Sequence, residues 1–309
     1  MNLPNCVIAG VPKSGTTSLY HYLGQHPDVY VTGKKEPRYL LIDTDESGRE
    51  IGMDPNTPFE HLPIKIKNFD DYVALFDGVA GEKVVIDAST YYAFSQVAIK
   101  RLRQLMPEVK IVFSLRDPIS RAYSDYLMNL HQKRELRKVE DALVEGEFYV
   151  ECGRYYTYLT PWFEAFDPSQ IKVVLFDDLK KDALAVHQDI CRFLGIDDTH
   201  VPDLTIRMKG GKPKNEALFN FIFRAKKTSL FKKIYPKLPT TIYKTWREVS
   251  VRYVFEKDAT LPQDVAQRLY DNYRDEIVQL EKLLGRDLSA WKLATRQYDA
   301  LSVMEADAE

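Results

Sequence analysis

Val7-Ile8-Ala9-Gly10-Val11-Pro12-Lys13-Ser14-Gly15-Thr16-Thr17-Ser18-Leu19 runs from an apolar stretch, through a glycine-bounded loop, into a cluster of hydroxyls. The apolar stretch lacks polar alternation, the mark of a strand covered on both faces. The hydroxyls open a helix. Backbone N–H groups at such a junction, with the positive end of the helix dipole, form a cradle for an anion. Gly10-x4-Gly15 has the spacing of a nucleoside-triphosphate loop, but Thr16-Thr17 stands where Lys-Ser/Thr is needed. The lysine lies inside the loop instead, as Lys13. A phosphate cradle without the triphosphate lysine points to a different phosphoanhydride. The plainer alternative is a tight strand-to-helix turn capped by a hydroxyl.

Outward from this loop, Val/Ile-rich runs at 83–86, 110–115 and 171–176 alternate with helical patterns at 16–24, 96–106, 119–130, 155–166 and 183–194. The alternation predicts an α/β fold with a central, mostly parallel sheet flanked by helices in three layers. The last helix is marked by Val265, Leu269, Tyr273, Ile277, Leu280 and Leu284 at spacings of four and three. Thr260 with Gln263 reads as its capping box and Gly285 as its C-terminal glycine. Residues 1–295 read as one domain, with 43–70 and 220–255 as variable insertions on the acceptor side. Residues 296–309 read as a flexible tail.

The 309 residues carry 43 Lys and Arg against 45 Asp and Glu, a net charge of −2. A near-neutral total speaks against a general nucleic-acid coat, which needs a large basic excess, so no nucleic-acid partner is expected. Cys6, Cys152 and Cys191 form no CxxC pair, so neither a disulfide framework nor a zinc site is implied, and no metal site is expected. No run of 18 apolar residues and no basic leader is present, which predicts a cytoplasmic protein without a transmembrane segment.

A second strand-turn-helix passage, Phe113-Ser114-Leu115-Arg116-Asp117-Pro118-Ile119-Ser120-Arg121-Ala122-Tyr123-Ser124, puts Arg116 at a strand's C-terminal end, where open α/β sheets bind ligands. Its guanidinium fork suits a phosphate monoester. Taken alone, an Arg-Asp-Pro turn is more often a structural ion pair, and Arg121 suits either a ligand or a carboxylate.

The loop and this second passage together resemble the sulfotransferases that use 3′-phosphoadenosine-5′-phosphosulfate (PAPS), in the bacterial and heparan sulfate branch with its P-loop-like fold. The resemblance implies that Lys13 contacts the phosphosulfate bridge and that Ser14, Gly15, Thr16, Thr17 and Ser18 hold the 5′-phosphate. It also implies that Arg116 and Ser124 bind the 3′-phosphate, and that Lys209-Gly210-Gly211-Lys212 closes over the nucleotide. Glu36, in Lys34-Lys35-Glu36-Pro37-Arg38, matches the position of that branch's catalytic base. Without the family, Glu36 reads as a surface carboxylate paired with Lys34, Lys35 or Arg38, and His21 and His26 as packing or capping residues.

In several glycosaminoglycan-type members of that family a lysine occupies the Ala88 position and helps the transfer; here, beside Asp87, it is missing. Two alternatives stay in view: an ATP-dependent kinase that uses the Gly10–Gly15 loop and Asp87 with magnesium, and, because of the missing lysine, a nucleotide-binding partner protein without activity. The expected acceptor is a small molecule, glycan, lipid or carrier-bound group. Residues 226–253 hold eight basic residues and one acid, a charge of +7 that leaves −9 elsewhere. Interleaved with aromatics, the segment reads as a solvated basic helix pair, or as a lid or docking face for an anionic surface.

Overall fold

Cys6–Gly10 forms strand β1 with every residue buried. The alternate side chains go to opposite sides, Val7 and Ala9 into one apolar cluster and Cys6 and Ile8 into another. Both faces of the sheet are therefore covered, which explains the absence of polar alternation. In the computed structural model, residues 2–45, 47–53, 64, 66–132, 134–204, 212–213, 255–256 and 260–292 are described.

After β1 come helix α1 (Thr16–Leu23) and strand β2 (Val29–Val31). Strands β3 (Ile42–Thr44) and β4 (Glu50–Met53) form an antiparallel hairpin inside the stretch expected to be an insertion. Helix α2 (Phe69–Ala74), strand β5 (Val84–Ala88), helix α3 (Gln96–Leu105), strand β6 (Lys110–Leu115) and helix α4 (Pro118–His131) follow. Helices α5 (Val139–Ala142), α6 (Phe148–Glu151) and α7 (Tyr155–Ala165) lead to strand β7 (Ile171–Leu175). Beyond it lie α8 (Phe176–Lys181), α9 (Ala183–Leu194), the short antiparallel pair β8 (Lys212–Pro213) and β9 (Phe255–Glu256), and α10 (Gln263–Leu284).

The central sheet has five parallel strands in the order β2-β5-β1-β6-β7. From β1 the chain crosses to the β2 edge, whereas β6 lies on the other side of β1. The switch point of the sheet is therefore the crevice at the C-terminal ends of β1 and β6, where α/β sheets take their ligands. Helices α1 and α9 cover one face, and α3, α4, α7 and α10 the other. Among the described residues no helix is long and apolar enough to cross a membrane.

Helix α10 buries Val265, Leu269, Tyr273, Ile277 and Leu280, as the spacing predicts, and ends at Gly285 in the left-handed conformation. The capping box is corrected. The helix starts after Pro262 with no side-chain cap, because Thr260 lies two residues upstream of the N-cap position.

Candidate active site

Gly15 stands at the N-cap of α1 with φ +80, and no side chain caps the helix. The first-turn N–H groups of Thr16, Thr17 and Ser18 thus have no intrahelical acceptor, the condition for anion binding. A Cβ on Gly15 would come within 2.8 Å of both Phe176 and Leu179, so α8 closes tightly under the loop. Strand β6 holds the loop from the side: Val11 donates its N–H to the Ser114 carbonyl at 2.9 Å, and the Ser114 hydroxyl donates to the Ser14 carbonyl.

Arg116, at the end of β6, donates through Nη1 to the Lys13 carbonyl at 3.2 Å, and its guanidinium lies 5.1 Å over the Phe176 ring. The Tyr155 hydroxyl fixes the Arg116 carbonyl at 2.9 Å. Two hydroxyls, Ser14 Oγ in the loop and Ser124 Oγ in α4, are buried and make no hydrogen bond within the protein. Buried hydroxyls are seldom left so, and both fit a ligand rich in acceptor oxygens. Arg121 takes the structural option. Its Nη1 pairs with the Asp125 carboxylate at 3.3 Å and its Nη2 donates to the Tyr149 carbonyl, all fully buried.

Across the crevice, Glu36 sits in the loop after β2, and its own N–H donates to the Ala88 carbonyl at 2.9 Å. Its carboxylate accepts from Thr90 Oγ1 at 2.9 Å, from the Thr90 N–H at 3.2 Å and from Arg38 Nε at 3.2 Å. Arg38 also lies 4.7 Å over the Tyr91 ring. Lys13, Lys35, Glu36 and Arg38 line one cleft of about 220 Å³ with Gly15, Thr16, Thr17, Thr90, Tyr91 and Met128. Among the described residues, the non-glycine residues with positive φ are Lys13 (67°), Glu36 (65°) and Arg38 (60°), and all three border this cleft. Left-handed backbone at non-glycine positions collects at functional sites. A larger hollow of about 490 Å³ beside α4, lined by Tyr123, Tyr126 and Leu130, touches neither the loop nor Glu36.

The structure therefore gathers Lys13, Gly15, Thr16, Thr17 and Glu36 around one space, with Arg116 adjoining through the Lys13 carbonyl. Ser14, Ser18 and Ser124 are buried and do not line it. Lys209, Gly210 and Gly211 lie outside the described residues, as do 214–254, with the basic 226–253 segment, and the 296–309 tail. Lys212 belongs to β8, which lies beside α4. His26 is a packing residue, with Nδ1 accepting from the Asp28 N–H and Nε2 meeting the Asp197 carbonyl. Asp87 is fully buried, and its carboxylate accepts from the hydroxyls of Tyr72, Tyr92 and Ser89 at 2.8 Å each. Burial pushes its pKa up to about 6, with the three hydroxyls opposing. A carboxylate so occupied is a packing anchor, and nothing here supports the magnesium role considered for it.

Sequence reasoning passed over Lys35, Thr90 and Phe176. The Lys34-Lys35 doublet looks like ordinary surface charge, and no spacing rule separates the half-buried lysine from its exposed neighbour.

Comparison with known proteins bears on the same elements. Heparan sulfate glucosamine 3-O-sulfotransferase 3B1 of Mus musculus is 25% identical over 203 residues, covering 63% of this chain and 46% of that protein. The Homo sapiens bifunctional heparan sulfate N-deacetylase/N-sulfotransferase 1 is 26% identical over 313 residues, covering 93% of this chain and 30% of that protein. This chain thus spans less than half the length of these curated relatives. A sulfotransferase crystal structure from Alicyclobacillus acidocaldarius superposes with a TM-score of 0.68 at 28% identity, over 95% of this chain and 100% of that one. Residues 4–200, from β1 past α9, match the model of the Sulfotransferase family, and the chain belongs to that family.

Proposed function

We propose that this protein moves a sulfuryl group from PAPS to a hydroxyl or amine of an acceptor, with Glu36 as general base. The observation that carries the reading is one cleft in which an uncapped helix N-terminus and Lys13 face a carboxylate fixed by Thr90 and Arg38. The buried, unpartnered hydroxyls of Ser14 and Ser124 fit a donor with phosphate at both ends.

PAPS supplies a sulfur held to phosphate through a bridging oxygen. Glu36 accepts the acceptor's proton as the new S–O or S–N bond forms. Lys13 and the first-turn N–H groups of α1 meet the charge that develops on the departing phosphate oxygen as the old S–O bond breaks. Ser14, Gly15, Thr16, Thr17 and Ser18 hold the 5′-phosphate, and Arg116 and Ser124 the 3′-phosphate. Lys209, Gly210, Gly211 and Lys212 keep their expected place over the nucleotide as part of the proposal.

For the acceptor we infer a glycan, because the curated relatives are by name heparan sulfate enzymes. One of those names specifies a hydroxyl and the other an amine, so both groups belong in the test. Isothermal titration should show adenosine 3′,5′-bisphosphate binding without magnesium. Binding of magnesium-ATP in its place would overturn the donor. Labelled PAPS offered to heparan-type chains, and separately to a metabolite extract, then reads the acceptor by mass spectrometry. Nucleotide binding with no transfer to any acceptor would favour the inactive partner protein.

A further inference from the structure

Lys35 precedes Glu36, yet its side chain turns back onto the phosphate loop. Its Nζ donates to Thr16 Oγ1 at 3.1 Å and to Thr17 Oγ1 at 3.0 Å, and lies 4.0 Å from Glu36 Oε1. One ammonium thus touches the first turn of α1 and the carboxylate across the cleft. A group placed there faces whatever passes between donor and acceptor. We propose that Lys35 is the second cation of the donor site, meeting the sulfuryl and 5′-phosphate oxygens and supplying the charge that position 88 lacks.

The inference rests on the sulfotransferase reading of this cleft and deepens it. Ala88 is buried at the end of β5 and carries no charge, while its carbonyl accepts the Glu36 N–H. The Lys35 stem therefore starts one residue from the hydrogen bond that ties its loop to position 88. In the free protein Lys35 rests on neutral hydroxyls. Exchange of these for phosphate oxygens sets the ammonium against anionic acceptors, adding ion-pair attraction to its hydrogen bonds.

The electrostatic surroundings give this exchange a signature. Burial pushes the Lys35 pKa down to about 8; Lys13 from the loop and Arg38 from its own loop push the same way, and Glu36 opposes them. The remaining groups near it, Thr16, Thr17, Tyr91 and Met128, carry no charge at neutral pH. Above pH 8 the free protein holds a largely neutral amine, and an arriving phosphate dianion makes it an ammonium again. Nucleotide binding then takes one proton from solution, while the phosphate itself, with a second pKa of about 6, contributes none at that pH.

The test titrates adenosine 3′,5′-bisphosphate into the full chain at pH 7 and pH 8.5, in two buffers of different ionisation enthalpy. The expected result is uptake of about three-quarters of a proton per nucleotide at pH 8.5 and almost none at pH 7. Lys35→Arg, a cation at both pH values, should bind without uptake, and so should Lys35→Met with weaker affinity. Lys35→Met should also lower kcat for sulfuryl transfer by about 100-fold, with partial recovery in Lys35→Arg. Binding by the parent without uptake at pH 8.5, or uptake retained in either variant, overturns the role of Lys35. No binding by the parent at either pH removes the sulfotransferase reading itself, and the inference with it.

Discussion

Lys13 and Glu36 sit on opposite walls of one cleft, and their substitutions should fail in different ways. Lys13→Ala removes charge from the leaving side, and kcat should fall by about 100-fold, the scale of a lost oxyanion donor. Glu36→Gln keeps shape and hydrogen-bond reach to Thr90 but cannot take a proton. Its kcat should fall by about 100-fold or more, while adenosine 3′,5′-bisphosphate affinity stays within a few-fold of the parent. Near-parent kcat in Glu36→Gln would remove Glu36 as the base. Asp87 makes a contrasting case away from the chemistry. Its folded pKa of about 6 lies above the ordinary 3.8, so the folded protein holds a proton there that the unfolded chain has released. That contribution to stability is full below pH 3.8 and fades as pH rises through 6. Asp87→Asn lacks it, so the variant's stability deficit relative to the parent should shrink by about 1 kcal/mol per pH unit between pH 4 and 6. Denaturant melts of both proteins across that range read the difference, and a deficit that grows with pH contradicts the assignment.

The β1–loop–α1 element was legible because its signals are local. Val-Ile runs, two glycines and four hydroxyls fall within thirteen consecutive residues, and the strand and helix appear where that pattern puts them. The left-handed Gly15 is the part that sequence spacing marks and structure explains. Gly15→Ala meets both an unfavourable φ of +80 and a Cβ 2.8 Å from Phe176 and Leu179. The variant should lose about 1–3 kcal/mol of stability in denaturant melts and bind adenosine 3′,5′-bisphosphate at least 10-fold more weakly. Parent-like binding would show that α1 does not carry the nucleotide phosphate. Glu36 was legible only by resemblance, and Lys35 and Thr90 not at all. Their meeting depends on parallel pairing of β2 with β5, which sets residues 54 positions apart side by side. Nothing near Glu36 in the chain announces that pairing. The true start of α10 was misread for a smaller reason, since Thr260-x-x-Gln263 satisfies a pattern whose geometry Pro262 then supersedes.

Over the whole molecule, the near-zero net charge conceals segregation that composition alone cannot show. The +7 of residues 226–253 is offset by −9 distributed over the remainder, so the chain carries a basic stretch on an acidic background. The donor cleft has its own cations in Lys13, Lys35, Arg38 and Arg116, all outside that stretch. On the proposed function, with the basic stretch taken as an acceptor docking face, donor binding and acceptor attraction fall in different parts of the sequence and are separable by substitution. If the acceptor is an anionic glycan, Lys232→Glu with Lys233→Glu changes the local charge by four and should weaken its capture, because fewer counterions are released and attraction is lost. The doubly substituted protein should leave a heparin column at clearly lower salt than the parent, and KM for the glycan should rise about 10-fold. Affinity for adenosine 3′,5′-bisphosphate should stay at the parent value, because no charge in the cleft has changed. An unchanged elution position would separate the basic segment from acceptor binding, and a parallel loss of nucleotide affinity would show that the two functions share one surface.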